Sequence, residues 1–172
     1  FRLIRTAGPG EKKTLYAYDQ AGNLQKKQVK IADSKYDTTQ YTYDGMGRLI
    51  QETLLLDSSY ILENNGNLVT TYEYYNNTRV KNKKDSYGNY IHYTYDVDGN
   101  VTTVEKYNKS GQQLEQTKSQ YDGLGNLTQE TNGLGNQTSY TYDNLGRIIK
   151  ISTAVGAQNA ETSYEYDING NV

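Results

Sequence analysis

Residues 140–149 read YTYDNLGRII, the clearest copy of a pattern that the chain repeats. Tyr140 and Tyr142 are separated by one residue, so in an extended strand their side chains lie on the same face. Asp143 is typical of the first position of a type I turn, because its carboxylate accepts a backbone N–H two residues later. Gly146 ends the turn, because glycine takes a positive φ and often forms a bulge that restores strand register. The stretch therefore predicts the tip of a β-hairpin.

The same pattern, Tyr-x-Tyr-Asp-x-x-Gly-(Asn or Arg)-aliphatic, recurs along the whole chain. A sixth copy lacks the first tyrosine, and a worn copy from Tyr72 has Tyr75 in place of the aspartate and Thr78 in place of the glycine. Recurrence at 21 to 31 residues is the signature of a repeat architecture. We assign a structural role to the motif positions, which are Tyr16, Tyr18, Asp19, Gly22; Tyr41, Tyr43, Asp44, Gly47; Tyr93, Tyr95, Asp96, Gly99; Tyr121, Asp122, Gly125; Tyr140, Tyr142, Asp143, Gly146; and Tyr164, Tyr166, Asp167, Gly170.

Between these copies lie segments that hold the turn alone, at residues 64–68, 85–89, 108–111 and 132–136. Each repeat therefore holds two strands and two turns, which predicts roughly 12 to 16 short strands in hairpin-after-hairpin order. The predicted fold is all-β: antiparallel hairpins in a single-layer sheet, curved by strand twist and glycine bulges. Residues 54–63 are predicted as a loop or long hairpin, and residues 154–160 as a loop.

Composition excludes several classes of function. Only 34% of the 172 residues are hydrophobic and 19 of them are tyrosine, so too few aliphatic residues remain for a two-layer core. A net charge of −2 gives no electrostatic basis for nucleic-acid binding. The chain has no cysteine, and its apolar runs are too short to insert into a membrane. Because it starts at Phe1 and ends inside a motif, we expect residues 1–172 to be one array of about seven repeats from a longer polypeptide.

The regular series of aspartates could indicate metal ligands or acid catalysts. The best calcium candidate, residues 96–100, has glycine at its fourth position where an EF-hand loop needs it at the sixth. Glycoside hydrolysis needs one pair of facing carboxylates, and a regular series prefers no pair. His92 is the single histidine and is read as an ordinary strand residue, while Arg48 and Arg147 are expected to pair with aspartate or stack on tyrosine. We therefore predict no catalytic residue, no metal and no cofactor, and do not expect an enzyme.

The tyrosines leave two readings open. Rings in neighbouring repeats can form a cross-strand ladder, worth roughly 0.2–1 kcal/mol per pair. The same rings can present a surface for sugars, since a single-layer sheet has two faces.

The segments YTYDGMGRLIQET (residues 41–53) and YTYDNLGRIIK (residues 140–150) resemble the YD repeats of Rhs proteins, insecticidal Tc toxin components and teneurins. The resemblance covers nearly the whole chain. It implies a long sheet that spirals into a hollow shell around a toxic C-terminal domain, or in teneurins a large extracellular barrel. It also implies a bacterial protein that is secreted or at the cell surface. Family shells usually end in a self-cleaving Asp-Pro-x-Gly motif, which Pro9, the only proline, does not fit.

Two functional hypotheses follow. The first is a structural shell segment of a toxin-delivery polypeptide, whose partners are the flanking repeats and the enclosed domain. The alternative is a carbohydrate- or cell-wall-binding β-repeat module, similar to choline-binding repeats, with surface glycans as partners. Open sheet edges predict self-association in either case.

Overall fold

The structure, a computed structural model, describes residues 2–6, 13–32, 35–55 and 67–172. These residues form 14 strands and contain no helix, which confirms the predicted all-β hairpin array and its strand count. Accordingly, no helix in the described part of the chain is long and apolar enough to cross a membrane. The chain divides into two compact units, Phe1–Tyr90 and Ile91–Val172.

The first unit is a meander in which each strand pairs antiparallel with the next. Its strands are β1 (Arg2–Thr6), β2 (Thr14–Tyr18), β3 (Leu24–Ala32), β4 (Lys35–Tyr43), β5 (Leu49–Leu55), β6 (Asn67–Tyr74) and β7 (Val80–Lys84).

The second unit repeats this order, with successive strands as neighbours in the sheet. Its strands are β8 (Tyr90–Tyr95, whose first residue belongs to the first unit), β9 (Val101–Tyr107), β10 (Gln113–Tyr121), β11 (Leu127–Asn132), β12 (Gln137–Tyr142), β13 (Ile148–Val155) and β14 (Gln158–Ser163).

A bulge follows the motif turn in the hairpin that opened the sequence analysis. Tyr142 pairs with Ile148 and Thr141 with Lys150, so Ile149 has no partner in the register. The same shift occurs next to the second tyrosine of the other motif hairpins whose register is defined, at Tyr18, Tyr43, Tyr74 and Tyr121. One extra residue on the return strand increases the local twist, and it allows both the tyrosine and the aliphatic residue after the turn to lie on one face.

The two faces of the sheet therefore differ in chemistry. One face, which we call the tyrosine face, carries pairs such as Tyr140 with Ile151 and Tyr142 with Ile148. The opposite face, the polar face, carries pairs such as Thr141 with Lys150. Side chains on the polar face are joined by hydrogen bonds between strands, for example Gln28 to Thr38 (3.2 Å), Asn82 to Glu73 (2.7 Å), Gln116 to Glu105 (2.7 Å) and Ser152 to Glu161 (3.1 Å).

No hydrophobic side chain is buried among the described residues. Most of the described strand residues are half-buried, which is typical of strands in a single-layer sheet. A hairpin in such a layer gains its contacts from the strands on either side, so stability depends on neighbouring repeats.

The loop predicted at residues 154–160 is wrong. Strand β13 continues to Val155, strand β14 begins at Gln158, and only Gly156 and Ala157 lie between the two strands. Gly156 has φ +58°, which suits the first position of a two-residue hairpin turn. Of the loop predicted at residues 54–63, the first two residues belong to β5, and the rest lie outside the described residues.

Candidate functional site: the repeated turn and its contacts

The turn after Tyr142 is closed by backbone and side-chain hydrogen bonds. The Asp143 N–H donates to the Arg147 carbonyl (2.9 Å), and the Gly146 N–H donates to the Asp143 carbonyl (3.0 Å). Asp143 Oδ1 accepts the N–H groups of Leu145 (2.9 Å) and Arg147 (3.0 Å). Its second oxygen, Oδ2, accepts Arg147 Nε at 2.7 Å. One carboxylate thus fixes three donors of its own turn.

The other motif turns show why the position after the glycine holds either arginine or asparagine. Arg48 donates Nε to Asp44 Oδ2 at 2.7 Å, as Arg147 does in its own turn. In the asparagine turns Nδ2 makes the same contact with Oδ2, in the pairs Asn23–Asp19 (3.0 Å), Asn100–Asp96 (2.9 Å), Asn126–Asp122 (2.9 Å) and Asn171–Asp167 (2.8 Å). Both residue types supply an N–H group at the same place, and therefore either satisfies the turn.

The turns between the motif copies are built in the same way. In the turn at Asn132, the side-chain oxygen accepts the N–H groups of Leu134 (3.0 Å) and Asn136 (3.1 Å). Asn108 and Asp85 cap their turns through matching contacts. The glycine at the fourth position has positive φ in each described turn of this type, with values from +76° at Gly47 to +102° at Gly99.

These contacts lower the pKa of the motif aspartates. In the asparagine turns the largest cause is the side-chain hydrogen bond from asparagine, for Asp19, Asp96, Asp122 and Asp167. In the arginine turns the hydrogen bond from the arginine backbone N–H is the largest cause of the lowered pKa, for Asp44 and Asp143. A hydrogen-bonded carboxylate favours its charged form, so these side chains act as acceptors and not as acids at neutral pH.

This arrangement predicts the acid response of the fold. A carboxylate with a lowered folded-state pKa contributes stability that is complete above its ordinary value of 3.8 and is lost as pH falls through the lowered value. We therefore expect a constant melting temperature from neutral pH down to about pH 5, then a steep fall below pH 4. Thermal denaturation followed by circular dichroism across this range measures it. A decline that begins near pH 6 would contradict the turn assignment.

The second tyrosine of a motif binds the preceding copy. Tyr142 Oη donates to the carbonyl of Leu127 (2.8 Å), the first residue after the preceding motif turn. Four other tyrosines make the equivalent contact with the first strand residue after the preceding motif turn: Tyr43 with Leu24 (2.9 Å), Tyr74 with Leu49 (2.7 Å), Tyr121 with Val101 (3.0 Å) and Tyr166 with Ile148 (2.8 Å). Burial raises the pKa of the Tyr43, Tyr74 and Tyr142 hydroxyls, which keeps them protonated as donors.

The arginine turns add a second link to the next copy. The Arg147 guanidinium lies 4.4 Å from the ring centre of Tyr166, and the Arg48 guanidinium lies 4.8 Å from that of Tyr74. Arg48 Nη1 also donates to the carbonyls of Tyr75 (3.1 Å) and Asn77 (2.6 Å). These two acceptors belong to the worn turn that lacks aspartate, so an arginine of the previous copy supports the turn that has lost its own carboxylate.

Removal of one tyrosine hydroxyl tests this link. We expect Tyr142→Phe to lower the free energy of unfolding by about 0.5–1.5 kcal/mol, because the Leu127 carbonyl loses a half-buried donor. Chemical denaturation monitored by circular dichroism measures the change. Tyr87→Phe is the matched control, because that ring lies at an exposed turn (58% exposed) and its substitution should have no effect. Equal effects for the two variants would contradict the proposed link.

The geometry joins the motif positions in pairs and does not gather them at one centre. The described residues include no group of three histidine, aspartate or glutamate side chains placed to hold a metal ion. His92 lies half-buried in β8. Sequence reasoning missed the hydroxyl-to-carbonyl contacts between copies. Ring-on-ring packing of the tyrosines stays a prediction.

Comparison with known proteins agrees with this geometry. Residues 121–158 match the RHS repeat. This segment contains two motif turns, the Asn132 turn between them, and the hydrogen bond from the Tyr142 hydroxyl to the Leu127 carbonyl. The chain therefore contains a segment, residues 121–158, that matches the RHS-repeat family model. The repeat array is also 30% identical over 163 residues to the double-stranded DNA deaminase toxin A of Burkholderia cenocepacia (strain H111), a match that covers 93% of this chain and 9% of the relative.

Solved structures share the fold of this chain. The TcdB2-TccC3-Cdc42 crystal structure aligns with a TM-score of 0.68 and 19% identity, over 91% of this chain and 9% of that one. The TcdB2-TccC3-TEV crystal structure aligns with a TM-score of 0.60 and 20% identity, over 94% and 9% of the two chains. The chain thus spans about a tenth of the length of the relatives that it matches.

Proposed function

We propose that this RHS-repeat array is a wall segment of a β-shell in a secreted or surface-exposed bacterial toxin-delivery polypeptide, and that it carries no catalysis. The observation that supports this most is the use made of its polar groups. The motif aspartates accept hydrogen bonds within their own turns, and the second tyrosines donate to the preceding copy. The aspartates, which resemble catalytic acids, and the tyrosines, which resemble binding aromatics, therefore have structural roles in this proposal.

The proposal treats residues 1–172 as one stretch of a longer array. Its partners are the flanking repeats and an enclosed C-terminal domain of the same polypeptide. The deaminase activity in the name of the Burkholderia relative is not carried over, because this chain matches 9% of that protein. The motif residues are proposed as structural positions.

A wall has to resist proteases, and this gives a direct test. We expect thermolysin to cleave residues 67–172 slowly under native conditions, at a rate that global unfolding limits. Added denaturant should then accelerate cleavage in step with the fraction of unfolded protein. Fast native cleavage within these strands, with no dependence on denaturant, would contradict a wall function.

A carbohydrate-binding module remains the second candidate, because tyrosine rings such as Tyr93 and Tyr140 are half-buried in strands and can present a ring face. A glycan array and retention on purified cell wall separate the two functions. The wall function predicts no saturable binding. Saturable binding that Tyr140→Ala removes, with the fold intact, would favour the module.

A further inference from the structure

The turns of the second unit expose aliphatic side chains in a regular row. Because hairpins alternate direction, the motif turns at residues 96–100, 122–126, 143–147 and 167–171 lie at one end of the strands. We call this the motif rim. Each of its turns carries one exposed aliphatic side chain at its tip: Val97 (92% exposed), Leu124 (89%), Leu145 (77%) and Ile168 (100%). Neighbouring tips are two strands apart, about 9.5 Å.

The other end of the same unit has a different surface. Its turns, at residues 108–112, 132–136 and 156–157, form what we call the opposite rim. A recess of about 500 Å³ lies here, lined by residues 113–116 and 132–134. Two exposed leucines, Leu114 (63%) and Leu134 (87%), stand at this recess. Its volume admits an aliphatic turn tip.

Charge also distinguishes the two rims. The motif rim has five carboxylates and one guanidinium in its turns, a net charge of −4, from Asp96, Asp98, Asp122, Asp143, Asp167 and Arg147. The opposite rim has Lys109 in its turns and Glu115 in the lining of the recess, where Lys106 Nζ pairs with Glu115 at 2.6 Å. These three side chains together leave a net charge of +1. Two motif rims repel each other, whereas a motif rim and an opposite rim attract.

We infer that the recess between Leu114 and Leu134 is a docking site for the motif-rim tips of a second copy of this chain. Leu114 and Leu134 offer apolar contact to an aliphatic tip, the net charges of the two rims are opposite, and both rims repeat at the same two-strand spacing. A tip in the recess therefore brings neighbouring turns into register. The contact is head to tail, so each copy in a pair keeps one free rim, and the pair as a whole keeps one free rim of each kind. This inference concerns contact between arrays and stands apart from the wall function.

The test uses two variants that leave the turn hydrogen bonds in place. The rim variant carries Val97→Ser, Leu124→Ser, Leu145→Ser and Ile168→Ser, and the recess variant carries Leu134→Glu. Wild-type protein should sediment faster as its concentration rises, whereas each variant alone should stay a monomer, with association weakened tenfold or more. An equimolar mixture of the two should form a dimer and nothing larger, because only one intact rim pair remains.

Controls separate this contact from edge pairing. Ile31→Ser changes an exposed side chain outside both rims and should associate like wild type. Ser163→Pro blocks the outer edge of β14, because the Tyr164 N–H faces β13 and the Ser163 N–H therefore points away from it. It too should associate like wild type. A monomeric wild type, a mixture without dimer, or loss of association in Ser163→Pro but not in the rim variant would overturn the inference.

Discussion

Gly146→Val lowers the free energy of unfolding by about 1–3 kcal/mol, the largest effect that we expect from one substitution in this array. The backbone at Gly146 has φ +77°, which a β-branched residue adopts only with strain. A Cβ at this position meets no atom within 4 Å, so the cost is backbone strain and not a clash. Denaturant titration followed by circular dichroism measures the loss.

Gly123→Ala is the matched control for this prediction. Gly123 lies in the preceding motif turn, also has nothing within 4 Å of a built Cβ, and lacks the positive φ. Alanine there should leave stability unchanged or raise it by about 0.4–1 kcal/mol, through a less flexible unfolded chain. If the two substitutions change stability alike, the backbone at Gly146 does not require glycine and our account of the turn is wrong.

Asp143→Ala is expected to lower the free energy of unfolding, by less than Gly146→Val does. The substitution leaves the Leu145 N–H, the Arg147 N–H and the Arg147 Nε without their acceptor. Water replaces part of these contacts because the turn is on the surface. The change is read from the same denaturant titration.

Asp143→Asn distinguishes the contribution of Oδ1, which accepts the two backbone N–H groups, from that of Oδ2, which accepts Arg147 Nε. The amide oxygen can still accept both N–H groups, as Asn132 does in its own turn, but the amide nitrogen cannot accept from Arg147. We expect a smaller loss than Asp143→Ala causes, because only the half-buried ion pair with Arg147 is removed. Part of the acid dependence should vanish with it. If asparagine costs as much as alanine, the N–H contacts contribute little and the ion pair dominates.

Much of this fold could be predicted from residues that act locally. Tyr140 and Tyr142 show the period of two, and Asp143 and Gly146 each have a conformational reason to be in a turn. The hairpin at Gly156 was missed because residues 154–157 (AVGA) include no polar residue that would open a turn. Its short connection depends on the register of β13 with β14, which no local pattern reveals.

The contacts between copies could not be predicted from local sequence patterns. The tyrosine hydroxyls reach carbonyls 15 residues back at Tyr142 and 25 residues back at Tyr74. The separation varies because the intervening strands and turn differ in length, while the spatial contact stays constant. The same limit applies to Arg147, whose stacking on Tyr166 requires the two motifs to be neighbours across a whole hairpin. Repetition in the sequence showed that copies exist, and only the sheet shows which atoms join them.

The central claim is that each copy stabilises its predecessor through the second tyrosine. Hydrogen exchange by mass spectrometry on Tyr142→Phe tests it most directly. Residues 122–127 form the preceding turn, and the Tyr142 hydroxyl binds the carbonyl of Leu127 at its end. The account predicts faster amide exchange in residues 122–127, including the Asp122 N–H that bonds to the Asn126 carbonyl. Exchange that accelerates only in the β12–β13 hairpin, with residues 122–127 as protected as in wild type, would contradict it.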